Sequence, residues 1–217
     1  MKLYLAGPEV FLDDAREIGR RKMALCARFG FTGLYPIDGE PLLVDAGGTL
    51  SRTIFHNNIG LMRDADAVVA NLTPFRGVSA DPGTAFELGF AFALGKPVAA
   101  YSNSPGELKH RAHATIGGAE VADAPATLLR DGLHVEDFGH FDNLMLAEAL
   151  SASRLPVIQA ETAAGDPFRD LDLFEQVLET LATARAAGRL GAGSSSSHPE
   201  VAPDMRGEKA SEEASHG

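Results

Sequence analysis

The feature that most constrains the fold of this chain is an alternation of short apolar runs with longer segments of helical periodicity. The run AVVANL at residues 67–72 is apolar enough to be covered on both faces, as the strands of parallel sheets are. Alternating strands and helices are typical of α/β proteins. We therefore predict a single doubly wound, Rossmann- or flavodoxin-like sheet of about five mostly parallel strands, flanked by helices.

The same pattern gives approximate limits for each element. The predicted strands cover residues 2–6, 32–35, 67–72, 98–101 and, as a short fifth strand, 143–146. The predicted helices cover residues 14–29, 51–63, 84–94 and 170–187, and Ser51 is the expected N-cap of the second helix.

Composition divides the chain into two parts. Residues 1–187 form the predicted folded domain. Residues 188–217 carry no aromatic residue, no periodicity and a run of four serines, which is typical of a disordered tail.

The charge balance limits the partners that we expect. The 217 residues include 19 Lys and Arg against 30 Asp and Glu, a net charge of −11 that repels nucleic-acid phosphates. We expect neither a secretory leader nor a membrane-spanning segment, and the single Cys26 cannot form an internal disulfide. We predict a cytoplasmic protein that binds a small ligand and neither nucleic acid nor membrane.

The loop at residues 73–87 is the richest in candidate functional groups among those that follow strand ends, where doubly wound folds bind ligands. In a structural interpretation, Asp81 is an N-cap ahead of Pro82, or Thr84 and Glu87 form a capping box; spacing alone favours this interpretation. In a functional one, Asp81 and Glu87 bracket a turn containing Gly83, and Glu87 faces the ligand crevice, where the helix dipole favours its ionised form.

One ionised glutamate beside a second carboxylate suits substitution at C1′ of a sugar. A carboxylate can stabilise an oxocarbenium-like transition state and then form a covalent ester. No histidine or cysteine cluster has metal-ligand spacing, and no dinucleotide or Walker A phosphate loop occurs.

Three segments resemble the nucleoside 2-deoxyribosyltransferases: MKLYLAGPEVF, ADAVVANLTPFRGVSADPGTAFELGFAFALGKPV and FDNLML, within residues 1–150. The resemblance implies that Glu87 is the nucleophile that attacks C1′ and holds the 2-deoxyribosyl group as an ester. It implies that Asp81 holds the deoxyribose hydroxyls and that Tyr4 orients the nucleophile. It implies no cofactor.

The resemblance also assigns binding residues. It implies a homo-oligomer, a dimer or a trimer of dimers, in which Asn143 and Met145 enter the sugar pocket of a neighbouring subunit. It places Asp38 at the nucleobase. Asn58 stands where some members have an aspartate proposed to protonate the base, so the proton donor of this chain stays open.

Two further residues could contact the ligand. Phe11 follows the first predicted strand and could stack on a base. Arg76 either touches the ligand or braces its loop against Asp81 or Asp66.

The leading functional hypothesis is transfer of 2-deoxyribose between purine and pyrimidine bases. The first alternative is an N-glycoside hydrolase of nucleosides or their 5′-monophosphates. PGTAFE is similar to an element of cytokinin-activating phosphoribohydrolases, but the Gly pair and the arginine of that element are absent. The second alternative is a nucleoside-binding sensor without catalysis.

Overall fold

Five parallel strands form the centre of the structure, a computed structural model that describes residues 1–37, 48–121 and 123–190. Within these ranges the strands are β1 (Lys2–Ala6), β2 (Thr32–Leu34), β3 (Ala67–Asn71), β4 (Val98–Ser102) and β5 (Val157–Gln159). The helices are α1 (Ala15–Arg28), α2 (Leu50–Asp64), α3 (Pro82–Ala93), α4 (Leu108–Thr115), α5 (Leu144–Ser153) and α6 (Asp172–Ala186), and a 3-10 turn covers Pro8–Phe11. The predicted α/β class is confirmed.

The order of the strands locates the ligand crevice. It is β2-β1-β3-β4-β5, and every strand pair is parallel. The chain leaves β1 toward one edge of the sheet and leaves β3 toward the other. The carboxyl ends of these two neighbouring strands therefore form the switch point at which doubly wound folds bind ligands.

Alternation along the strands sends side chains to two separate cores. Leu3 and Leu5 of β1 are buried on the face that α1 and α6 cover. Tyr4 and Ala6 are buried on the opposite face, among side chains from α2, α3 and α5. The period of two in strand geometry thus aims Tyr4 toward α3.

The predicted strand at residues 143–146 is wrong. Asn143 is the N-cap of α5, and its Oδ1 accepts a hydrogen bond from the Met145 amide at 3.1 Å. The buried residues of α5, Leu146, Ala147 and Leu150, have helical spacing, which a four-residue window is too short to reveal. The fifth strand is instead β5, which pairs with β4.

Two smaller differences concern helix ends. The N-cap of α2 is Thr49 and not Ser51, because the Thr49 hydroxyl accepts from the Arg52 amide at 3.3 Å. After α6, Leu190 is buried in the core, three residues beyond the predicted end of the domain. Residues 191–217 lie outside the described part of the chain. Among the described residues, no helix is long and apolar enough to cross a membrane.

Candidate active site

A buried tyrosine and a glutamate form the centre of the site. Tyr4 lies on β1 and is fully buried, and its hydroxyl donates a hydrogen bond of 2.5 Å to Oε1 of Glu87 on α3. Burial, helped by the charge of Glu87, raises the pKa of Tyr4 far above its ordinary value. Tyr4 therefore keeps its proton and remains a donor, which fixes the orientation of the Glu87 carboxylate.

The pKa of Glu87 is the most informative electrostatic property of the site. Burial raises the pKa of Glu87 to about 7; the hydrogen bond from Tyr4 lowers it, and the charge of Asp81 raises it. The sequence predicts that the helix dipole favours the ionised form of Glu87, but Glu87 is the sixth residue of α3 and lies beyond the first turn, where the dipole acts. A carboxyl group with this pKa can act as a nucleophile or carry a proton near neutral pH.

Asp81 begins the helix that carries Glu87. Its Oδ2 accepts hydrogen bonds from the amide of Thr84 at 2.9 Å and from the Thr84 hydroxyl at 3.1 Å, with Pro82 as the first helical residue. The capping box of Thr84 and Glu87 does not form, because Asp81 supplies the cap. Gly83 is the second residue of α3. A Cβ at this position would stand 2.9 Å from Asp81 Oδ2, so the glycine leaves room for the capping carboxylate.

Aromatic rings and one guanidinium group lie at the switch point. Phe11 and Phe75, which follow β1 and β3, stack with centroids 5.1 Å apart, and Phe11 is 55% exposed. The guanidinium of Arg76 lies 4.6 Å from the Phe75 centroid and 5.4 Å from that of Phe11. In the described structure it pairs with neither Asp81 nor Asp66, so the predicted brace is wrong and its N–H groups are available to a ligand.

A buried ionic cluster anchors the turn that carries Phe11, and the sequence analysis missed it. Oε1 of Glu9 accepts hydrogen bonds from Lys22 at 2.8 Å, Asn71 at 3.0 Å and Tyr101 at 2.9 Å, which join the turn to α1, β3 and β4. The sequence does contain an indication of this cluster. Lys22 follows Ile18 by four residues on the buried face of α1, and a charged side chain there needs a buried partner of opposite charge.

The remaining predicted residues are spread around the site. Asn58 on α2 has a buried Oδ1 that accepts no hydrogen bond from the residues that the structure describes. Asn143 donates from Nδ2 to Glu136 at 2.6 Å and caps α5, and Met145 is 71% exposed. Neither of these two residues hydrogen-bonds with the pair of Tyr4 and Glu87. Asp38 lies outside the described residues.

A metal centre is not built into the described residues. No group of three or more His, Cys, Asp or Glu side chains within residues 1–37, 48–121 and 123–190 could hold a metal ion. The chemistry available there comes from carboxylates, a phenol, amides and a guanidinium group.

A family model and one solved structure indicate the same family for this chain. A model described as nucleoside 2-deoxyribosyltransferase matches residues 3–145. A 2-desoxiribosyltransferase structure from Leishmania mexicana has a TM-score of 0.54 and 31% identity, covering 82% of this chain and 97% of that one. A conserved protein from Enterococcus faecalis V583 shares the fold, with a TM-score of 0.51 and 20% identity over 85% of this chain and 98% of its own.

One curated relative also matches. It is an uncharacterized protein of Schizosaccharomyces pombe, 36% identical over 103 residues, which cover 46% of this chain and 49% of the relative. The match thus spans about half the length of that protein.

Proposed function

This chain belongs to the nucleoside 2-deoxyribosyltransferase family, as its motifs indicated, and we propose that it moves a 2-deoxyribosyl group between nucleobases through an ester on Glu87. The observation that carries the proposal is the hydrogen bond between Tyr4 and Glu87. It joins β1 to α3, which packs on the face of the sheet to which Tyr4 points, and it holds one carboxylate oxygen, which leaves the other oxygen of Glu87 to attack.

The reaction consists of two displacements at C1′. In the first, a Glu87 oxygen forms a bond to C1′, and the bond from C1′ to the base nitrogen breaks with its electron pair going to the base, which takes up a proton. In the second, a nitrogen of the incoming base attacks C1′ and loses its proton, and the ester bond breaks to restore the carboxylate. Because each step inverts C1′, the product retains the original configuration.

Charge favours this transition state. Positive charge develops on the sugar ring as the C1′ bond lengthens, and the carboxylates of Glu87 and Asp81 are negative groups in a partly buried site. A 2-deoxy sugar lacks the electron-withdrawing 2′-hydroxyl, so it reaches an oxocarbenium-like state more easily. Both capping bonds of Asp81 go to Oδ2, and in the described part of the chain Oδ1 accepts none. We assign this Oδ1 to the deoxyribose hydroxyls.

Other residues supply the base site in this proposal. The exposed ring of Phe11 offers a stacking surface, and the guanidinium of Arg76 beside it offers N–H donors. The Oδ1 of Asn58, which has no hydrogen-bond partner among the described residues, offers a further polar contact. Asp38 is proposed to contact the base on the resemblance alone.

A homo-oligomer completes the proposed site. Met145 is 71% exposed, and among the described residues neither Asn143 nor Met145 hydrogen-bonds with Glu87 of its own chain. Exposed rings of Phe55 and Phe86 meet on the surface of α2 and α3 with centroids 6.2 Å apart. We propose that a second copy covers this apolar surface and that Asn143 and Met145 enter the neighbouring pocket.

The test is base exchange. Incubation with 2′-deoxyinosine and adenine is expected to give 2′-deoxyadenosine, and mass spectrometry of the quenched protein should find a deoxyribosyl group on the peptide that contains Glu87. Glu87→Ala should abolish both, whereas Glu179→Gln, a change at an exposed glutamate of α6, should alter neither. Free deoxyribose without new nucleoside would indicate a hydrolase, and binding without turnover would indicate a sensor; each result contradicts the transferase.

A further inference from the structure

A fully buried aspartate joins two segments that the proposed function places in two different active sites. Asp142 lies before α5, and its Oδ1 accepts hydrogen bonds from the Ser79 hydroxyl and from the Asn143 amide, the latter at 2.7 Å. Its Oδ2 accepts from the Ala80 amide at 3.0 Å. One carboxylate thus holds the residues just before Asp81 and the residue that caps α5.

Arg111 of α4 closes the same junction. Its Nε donates to the Val78 carbonyl at 2.9 Å, and its Nη2 donates to the Phe141 carbonyl. Its Nη1 donates to the Gly106 carbonyl at 2.7 Å, and Nη2 lies 3.9 Å from Asp142 Oδ2. The guanidinium therefore binds the backbone on both sides of the junction. We call Asp142 and Arg111 together the loop clasp.

We propose that Asp142 is a positioning residue for two neighbouring active sites at once. In its own subunit, its bonds to Ser79 and Ala80 set the start of α3 and hence Asp81. Through the Asn143 amide it sets the segment of Asn143 and Met145, whose destination in the neighbouring subunit rests on the proposed function. A shift of either segment is therefore transmitted to the other through one side chain.

The chemistry of the clasp makes its parts interdependent. The two oxygens of Asp142 receive three donors from different residues. The backbone amides of Ala80 and Asn143 can only donate, and of the three donors only the Ser79 hydroxyl could turn to accept the N–H of an amide. In Asp142→Asn, one oxygen becomes an NH2 group, which must face either the Ala80 amide or the donors at Oδ1. Since donors then oppose each other in a buried place, at least one segment has to move.

Hydrogen exchange tests the contact without reference to activity. In Asp142→Asn, peptides covering residues 78–82 and residues 142–146 should both exchange about tenfold faster or more. Asp137→Asn is the matched control, because Asp137 lies in the same loop and forms a partly exposed ion pair with Lys109. Faster exchange in only one segment, or in neither, overturns the proposal.

A gentler variant covers the case in which Asp142→Asn fails to fold. Ser79→Ala removes one donor and leaves the carboxylate in place. It should speed exchange in residues 142–146, although Ser79 lies 63 residues from Asp142 in sequence. Exchange there that matches the unmodified protein contradicts transmission through Asp142.

Mixed oligomers test the dual role in catalysis. One chain carries Glu87→Ala and supplies an intact Asn143 segment, while the other carries Asn143→Ala with Met145→Ala and supplies the only nucleophile. Recovery of exchange activity on mixing supports the proposed shared site. Asp142→Asn, placed in either chain, should then reduce the recovered kcat/KM about tenfold or more. A reduction from only one placement overturns the dual role.

The two proposals fail in different ways. If mixing restores no activity while the unmodified protein is active, Asn143 and Met145 do not complete the neighbouring active site. The proposed coupling between subunits then fails as well. If mixing restores activity and Asp142→Asn is harmless in both chains, the shared site stands and the loop clasp has no positioning role.

Discussion

Replacing Glu87 by glutamine should remove a large part of the pH dependence of stability between pH 5 and pH 8. Burial raises the pKa of Glu87 in the folded protein to about 7, against 4.5 as its ordinary value. The folded state therefore holds this proton more tightly than the unfolded state does. The corresponding stability is fully present below about pH 4.5 and is lost as the pH rises through 7.

The size of the effect follows from the two pKa values. Proton linkage between 4.5 and about 7 gives a loss of up to about 2.5 kcal/mol from pH 5 to pH 8 in the unmodified protein. Glutamine has no proton to release, so Glu87→Gln should show none of this loss. All other titrating groups are common to the two proteins, and the difference between them isolates Glu87.

Urea unfolding at pH 5, 6, 7 and 8 measures the effect. The stability difference between the unmodified protein and Glu87→Gln should change steadily across this range in favour of the variant. Glu179→Gln should follow the unmodified protein, because Glu179 is exposed. A stability difference that stays constant from pH 5 to pH 8 would refute the reasoning that burial governs the Glu87 carboxyl group.

The same proton should appear in catalysis. A nucleophilic Glu87 must be ionised, so kcat/KM should rise about tenfold per pH unit below 7 and level off above it. If the rising limb of the plot of kcat/KM against pH lies near pH 4.5 instead, Glu87 titrates as an ordinary surface carboxyl group.

Two further predictions concern the partners of the buried carboxylates. Tyr4→Phe removes the hydrogen bond that lowers the pKa of Glu87, so the rising limb of kcat/KM should move to higher pH; an unchanged limb contradicts the role of Tyr4. Lys22→Met leaves Glu9 buried without its cation and should cost about 3–5 kcal/mol in urea unfolding. Lys22→Met combined with Glu9→Gln should cost clearly less, and a loss as large as that of Lys22→Met alone would contradict a buried ion pair.

Local sequence patterns predicted most of the sheet and its covering helices. The strands at residues 2–6 and 67–72 are short apolar runs, and the helix that begins after Asp81 carries its start signal in Asp81 and Pro82. These patterns act within one element, so they can be read without knowing the fold. The window at residues 143–146 failed because its apolar run fits a strand and a helix equally well, and the capping side chain of Asn143 decides between them.

Contacts between distant residues could not be read in the same way. Tyr4 and Glu87 are 83 residues apart, and Glu9 and Tyr101 are 92 apart. Each pair depends on the strand order and on the face to which a strand residue points. Composition and spacing reveal neither the strand order nor the face to which a residue points. Only the family resemblance therefore related Tyr4 to Glu87, and no sequence pattern related Glu9 to its partners.

The structure also changes how the two interpretations of the loop at residues 73–87 relate to each other. In the sequence, capping and catalysis are alternatives, because either explains a carboxylate at a helix start. The cap is made by Asp81 through Oδ2 alone, so Glu87 does not have to serve the helix end and can bind Tyr4 instead. Because the cap also holds the charge of Asp81 near Glu87, it raises the pKa of Glu87. The local signal for a helix start is therefore part of what brings the pKa of the proposed nucleophile close to neutral pH.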